Sequence, residues 1–231
     1  MQPTSRVFAH RHSVPVYTAR RDAAWADVAG DLSARHELLI TDEHGPALRD
    51  FLRRAHATVW IEGPRHAPVQ RVLAAVDPFA PAPITSAVLD VARALTSAPD
   101  AQLLAVHAWS APGEALIAEH ASPARARGYV DAQRALALRA LARTLEPLGD
   151  AVAACFCLRG EPVGAIEYLV GELAIDAVVL GITPRSRLAR VLLGCTAERV
   201  ARSVECHVVV ARPPAGADAI TELPRAVARA A

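Results

Sequence analysis

The stretch DAVVLGITPRSRLARVLLGCTAERVARSVECHVVVA, residues 176–211, decides the fold. It opens on a continuous apolar run, 176–181, of the kind that is buried on both faces of a parallel sheet. A loop that ends at Gly194 follows, then a helical pattern over 196–204 and a second apolar run that starts at Cys206. A helix between two such strands is typical of a crossover that joins parallel neighbours.

The same alternation of strand and helix continues upstream to residue 71. The other predicted strands are 71–77, 101–109 and 151–160, and the other predicted helices are 84–97, one that begins at Ser122 and Pro123, and 161–174. Five apolar residues are expected to line the inner face of the long helix: Val130, Leu138, Leu141, Leu145 and Leu148. Four crossovers between five strands predict an α/β fold, an open parallel five-stranded sheet with helices on both faces.

The first seventy residues repeat the second half of that pattern. LRDFLRRAHATVWIEGP (48–64) parallels AERVARSVECHVVVARP (197–213), so that Val59–Ile61 correspond to Val208–Val210. The repeat lacks a first strand with its carboxylate, which predicts a partial copy of the same fold. Such a fragment has an unpaired edge and is expected to pack on the complete domain or on another chain. The predicted organisation is a truncated half domain at 1–61, a linker at 62–70, a complete domain at 71–213 and a loose tail at 214–231.

Composition limits the possible location and partners. The chain has 231 residues, 52% of them hydrophobic, and no apolar run near the roughly 20 residues that cross a bilayer. Its first residues have too short an apolar stretch for a signal peptide, so a cytoplasmic location is expected. The net charge of +1 gives no reason to expect nucleic acid or an anionic membrane as a partner.

All basic residues other than histidine are arginines, because the sequence contains no lysine. Phosphate binding through a P-loop lysine and lysine Schiff-base chemistry are therefore excluded.

The four cysteines are expected to be reduced and buried. They are Cys155, Cys157, Cys195 and Cys206. The first two share one face of a predicted strand, and the alternative is a metal site completed by Cys206 and His207. That spacing matches no zinc pattern, so no metal site is predicted.

Several motifs in residues 71–213 point to one known family. RVLAAVD is a first strand that ends in aspartate, and a GxPxxxI…D run and a glycine signature follow it. The residues that carry the last two are Gly160, Pro162, Ile166 and Asp176, and then Gly181 to Thr196. With these motifs the chain resembles the universal stress protein family, and the degenerate first copy resembles its tandem-domain members. The resemblance implies a nucleotide-binding α/β sandwich, similar to adenine nucleotide alpha hydrolases. It also implies pairing of domains through their last strands, as a homodimer or in cis, and in some members ATP at the carboxyl ends of the strands.

The resemblance also implies a nucleotide site. Its residues are Asp77, Val106, Gly181, Gly194, Cys195 and Thr196. Asp77 would lie by the adenine and ribose, and Val106 would line the base pocket. Gly181 would permit a turn, and the helix start at Gly194 would offer amide donors to phosphate. The alternative interpretation is a capping carboxylate at Asp77, with turn and cap glycines that contact no ligand.

Two departures from the glycine signature predict weakened nucleotide binding. Pro184 replaces the second glycine, which fixes φ and removes an N–H donor. Cys195 replaces the serine or threonine with a weaker donor, and Thr196 offers a hydroxyl one position later. At a helix start Cys195 is either an inert small residue or a redox-sensitive thiol. Three loop arginines are either solvated or supply charge to phosphates: Arg185, Arg187 and Arg190.

No nucleophile–base set emerges, so an enzyme is not expected. His10, His12 and His107 show no ligand spacing, and His107 with Asp77 is only a weak candidate for a dyad. The predicted function is a cytoplasmic stress-response module that acts through an unknown protein partner, binds ATP or AMP weakly and has no obligatory cofactor. One alternative is an ATP-binding sensor or slow ATPase. The other is a purely structural dimerisation module, whose strand at Val208–Val210 pairs with Val59–Ile61 or with another subunit.

Overall fold

A computed structural model describes residues 16–18, 38–42, 44–45, 47–64, 68–182 and 195–213. Several sequence predictions lie outside these residues. They concern His10, His12, Pro184, Arg185, Arg187, Arg190, Gly194 and the tail at 214–231.

Eight strands and six α-helices are formed by the described residues. The strands are β1 (Val16–Thr18), β2 (Leu38–Thr41), β3 (Thr58–Ile61), β4 (Arg71–Ala75), β5 (Gln102–Trp109), β6 (Val152–Arg159), β7 (Ala177–Gly181) and β8 (His207–Ala211). The helices are α1 (Ala47–Arg54), α2 (Ala82–Leu95), α3 (Glu114–His120), α4 (Pro123–Leu145), α5 (Pro162–Leu173) and α6 (Cys195–Ser203). None of these helices is long and apolar enough to cross a membrane.

The eight strands form one mixed sheet in the order β1-β2-β3-β8-β7-β4-β5-β6. The five strands predicted from residue 71 onward are parallel to one another, as expected. The prediction of an open five-stranded sheet is wrong in extent, because β3 pairs antiparallel with β8. Val59–Ile61 therefore lie beside Val208–Val210 within the same chain.

Each face of the sheet carries a hydrophobic core. On one face α1, α5 and α6 bury apolar residues such as Phe51, Ile166 and Val200 against the strands. On the other face α2 and α4 contribute residues such as Val88 and Leu141. The first of these cores joins α1 to α6, so the described residues before residue 62 share a hydrophobic core with the rest of the sheet.

The long helix α4 begins as predicted and buries a different set of residues. The Ser122 hydroxyl accepts a hydrogen bond from the Arg125 amide at 3.4 Å, and Pro123 is the first helical residue. Leu141 and Leu145 are buried, but Leu138 is 45% exposed, so its predicted core position is wrong. Ala137 is buried in its place, because a small residue lets the helix approach the sheet.

Asp176 ties the start of β4 to the start of β7, at the amino ends of the strands. Its Oδ2 accepts hydrogen bonds from the backbone amides of Gln70 and Arg71 at 2.9 and 2.8 Å. The Arg71 guanidinium donates to the Leu173 carbonyl oxygen at 2.9 Å. The aspartate that matched the family run thus holds two parallel strands in register.

Asp176→Asn is expected to lower the free energy of unfolding by about 1–2 kcal/mol, because two charge-assisted hydrogen bonds lose their ionised acceptor. Urea unfolding measures the change. Asp90→Asn, at an exposed position in α2, is the matched control and should be nearly neutral. Equal losses in the two variants would contradict the role of Asp176 in joining the strands.

Candidate functional site

The strand order creates one crevice at the carboxyl edge of the sheet. From β4 the chain continues to β5 and β6 on one side, and then returns to β7 and β8 on the other side of β4. The connections that leave β4 and β7 therefore diverge. Such a switch point is where open parallel sheets bind ligands. Asp77 follows β4 and Gly181 ends β7, so two predicted site residues lie at this point, and Val106 lies in β5, the next strand beside β4.

Asp77 is exposed and its carboxylate closes a local turn. Its Oδ1 accepts a hydrogen bond from the Phe79 amide at 3.0 Å, which is an Asx-turn. Its backbone carbonyl accepts from the Thr85 hydroxyl at 3.2 Å and from the Ala80 amide at 3.1 Å. These contacts fix the link between β4 and α2 and engage one carboxylate oxygen.

Val106 belongs to the hydrophobic core. It is 2% exposed, and its carbonyl oxygen accepts from the Val76 amide at 2.8 Å. The next residue, His107, places its Nδ1 3.1 Å from the Val76 carbonyl oxygen and its ring 5.9 Å from that of Phe79. The His107 ring is therefore hydrogen-bonded to the backbone of Val76, just after β4, and among the described contacts it makes no hydrogen bond to the Asp77 carboxylate.

Gly181 is required by a close approach of α2 to β7. A Cβ at this position would lie 2.5 Å from Ile84 Cγ2 and 3.1 Å from Val88 Cγ2. Among the described glycines, positive φ angles occur at Gly113, Gly149 and Gly160, and Gly181 continues the strand. The absence of a side chain thus brings the helix against the sheet beside the crevice.

Helix α6 begins at Cys195, which places the end of the glycine signature at a helix start. Thr196 is the second helical residue and is exposed. The first amides of a helix have no partner within it and can donate to an anion. Arg199, one turn later, forms an exposed ion pair with Glu161 at 3.3 Å, which links α6 to the residue before α5.

Sequence reasoning missed a polar cluster at the carboxyl ends of β5 and β6. Arg159 pairs with Glu114, and its guanidinium carbon lies 5.9 Å from the ring centroid of Trp109. Glu114 opens α3, a helix that was not predicted. The available signal was Gly113, which has φ 74° and is followed directly by an acidic residue typical of a first helical turn.

Three cysteines whose side chains the structure describes lie in different environments. Cys206 is buried, Cys157 is half-buried and Cys155 is exposed, so the expected burial is wrong for Cys155. Burial raises the pKa of the Cys157 thiol. The positive charge of Arg134 opposes this pKa shift, and the neighbouring Cys155 adds to it. No cluster of three or more His, Cys, Asp or Glu suited to a metal occurs among the described residues.

In dilute protein near neutral pH, iodoacetamide should modify Cys155 well before Cys157. Only the thiolate reacts, and a raised pKa keeps Cys157 protonated. Raising the pH should increase the rate at Cys157, as followed by mass spectrometry of peptides from the intact folded chain. Faster modification of Cys157 than of Cys155 would contradict this placement.

The comparison that decides the family covers the parallel strands and the crevice. Residues 68–212 match the universal stress protein family, which is more than half of the chain. The chain belongs to the universal stress protein family. A universal stress protein of Methanocaldococcus jannaschii is 37% identical over 57 residues, which are 25% of this chain and 34% of that protein. The match therefore spans about a third of that relative's length.

Two solved structures have a similar fold over most of the chain. A protein of unknown function from Pseudomonas aeruginosa PAO1 has a TM-score of 0.60 at 21% identity and covers 84% of this chain and 69% of its own. A universal stress protein from Archaeoglobus fulgidus has a TM-score of 0.56 at 18% identity, with 81% and 65% covered. In both cases the structural similarity covers more of this chain than the matched family domain does.

Proposed function

We propose that this universal stress protein is a cytoplasmic stress-response module that acts through a protein partner. It binds ATP or AMP weakly at the crevice between β4 and β7, without turnover. The observation that carries the nucleotide site is the switch point. Asp77 follows β4 and Gly181 ends β7, which are the two strands where the connections diverge, and α6 is the next described element after β7.

Lost donors in the glycine signature and an engaged oxygen of Asp77 support weak rather than tight binding. Pro184 and Cys195 remove donors from the glycine signature, since proline has no N–H and a thiol donates poorly. One oxygen of Asp77 is engaged by the Phe79 amide, so a ribose hydroxyl must compete for that carboxylate. Thr196, exposed at the helix start, is the hydroxyl that remains for a phosphate.

We further propose that the segment before residue 62 is a truncated copy of the complete domain, docked about a pseudo-two-fold axis. The internal repeat aligns Trp60 with Val209, and these two residues lie opposite each other in the β3–β8 ladder. A two-fold axis requires every contact to be reciprocal. Accordingly Val59 lies opposite Val210, and Ile61 lies opposite Val208.

Polar contacts outside the ladder support the same axis. The Gly63 amide donates to His207 Nδ1 at 3.1 Å, and the Arg212 amide donates to Thr58 Oγ1 at 3.3 Å. The repeat aligns Gly63 with Arg212 and Thr58 with His207, so the two hydrogen bonds are equivalent. Two other aligned residues form an ion pair with each other at 4.0 Å, Arg49 and Glu198.

The docking of β3 on β8 limits where a protein partner could bind. Because β3 occupies the outer edge of β8, the pairing of last strands takes place within one chain. A partner would therefore bind another surface of the module.

Isothermal titration calorimetry with ATP and AMP tests the proposed nucleotide site. The unmodified chain should bind both with an affinity weaker than micromolar, and Thr196→Val should weaken binding further by removing the hydroxyl. Micromolar or tighter affinity would refute the weakening, and heats unaffected by Thr196→Val would place the nucleotide elsewhere.

A further inference from the structure

Strand β6 is an edge of the sheet formed by the described residues. Among the described elements only β5 pairs with it, and it ends the strand order. None of its eight residues is fully buried, although Val152–Leu158 carry no charge.

Few of the usual protections against edge pairing occur on β6. Edge strands of monomeric proteins commonly carry lysine, proline or inward-pointing charges. A bulge at Ala153, where the register with β5 shifts, affects only the start of the strand. From Ala154 to Arg159 the pairing with β5 is regular, so a straight apolar segment remains available.

Helix α4 extends the apolar surface next to this edge. Cys157 packs against the cluster that contains Ala137 of α4, so the part of α4 around Arg134 and Ala137 lies over β6. Leu138 lies one helical turn after Arg134 along the same face and is 45% exposed. A crossover helix runs antiparallel to the strands that it joins. One turn along α4, from Arg134 to Leu138, therefore moves from the level of Cys157 towards that of the exposed Cys155.

We propose that β6 pairs antiparallel with β6 of a second copy of this chain and extends the sheet across a two-fold axis. Opposite charges flank the strand. Asp150 precedes it and Arg159, which also pairs with Glu114 of its own chain, ends it, so antiparallel pairing brings Asp150 of each copy towards Arg159 of the other. The molecule already uses this arrangement at β3 and β8, where α1 and α6 lie together on one face. The same geometry at β6 brings the α4 helices of the two copies together, with Leu138 of each at the junction.

Light scattering of the full chain over a wide range of protein concentration tests this pairing. The unmodified chain should form a dimer, and Cys155→Lys should weaken the dimer by about tenfold or more, because like charges then meet across the axis. Leu116→Lys is the control at another exposed apolar position, in α3, and should leave the dimer intact.

A mixture distinguishes lost pairing from lost folding. Cys155→Lys and Cys155→Asp should each associate weakly alone and should form a tighter heterodimer when mixed, because opposite charges then face each other. A monomeric unmodified chain would overturn the proposal, and so would a dimer that Cys155→Lys leaves unchanged. Failure of the mixed variants to associate would also overturn it.

Discussion

Trp60→Ala is expected to lower the free energy of unfolding by about 3–5 kcal/mol, the usual cost of truncating a buried aromatic residue. Trp60 is 0% exposed and is among the largest fully buried side chains of the described residues. It lies in β3 opposite Val209, and its ring meets that of His207 edge-on at 5.4 Å. The cavity would therefore open at the junction between the first segment and the last strand. Chemical denaturation measures the change.

Phe79→Ala is the matched control, because this aromatic residue is 59% exposed. Its removal should cost only a small fraction of the Trp60 loss. A Trp60 variant as stable as the unmodified chain would contradict the docking of β3 on β8.

Gly63→Ala is expected to destabilise the chain by about 3 kcal/mol, at the upper end of the usual cost of overpacking. The new Cβ would lie 2.4 Å from both the carbonyl carbon and the carbonyl oxygen of Cys206, and 2.9 Å from the His207 amide nitrogen. These are main-chain atoms at the start of β8, so they cannot rotate away as a side chain would. The hydrogen bond from the Gly63 amide to His207 should be lost with the displacement.

Gly164→Ala provides a control of identical chemistry. Gly164 lies in α5, where a Cβ would meet nothing within 4 Å. Alanine is the better helix former, so this variant should be more stable by up to about 1 kcal/mol. The denaturation midpoint should fall for Gly63→Ala and rise for Gly164→Ala. An unchanged midpoint for Gly63→Ala would contradict the close approach of Gly63 to the backbone of Cys206.

The sequence was sufficient for the five parallel strands, because each is a short apolar run bounded by helical periodicity. It was also sufficient for the start of α4, because Ser122 and Pro123 act locally. It was insufficient for the exposure of Cys155 and Leu138. An edge strand and a central strand have similar apolar sequences, and only the strand order reveals which one lacks a neighbour.

For the candidate site too, the sequence predicts the position of the residues in the fold but not their contacts. Asp77 lies at the switch point because it follows β4, and Gly181 because it ends β7. The sequence predicts both strands. Their local roles depend on contacts it does not reveal. The glycine at 181 is needed because Ile84 of α2 approaches it, and one carboxylate oxygen of Asp77 is engaged by its own turn.

We propose that the crevice beside β4 still accepts an adenine nucleotide but has lost donors at two positions. Titration calorimetry with ATP on the double variant Pro184→Gly, Cys195→Ser tests it most directly, with Pro184→Gly, Cys155→Ser as the control that leaves the helix start unchanged. Restored donors should tighten ATP binding by at least about tenfold, which is about 1.4 kcal/mol. An affinity no tighter than that of the unmodified chain would contradict the account.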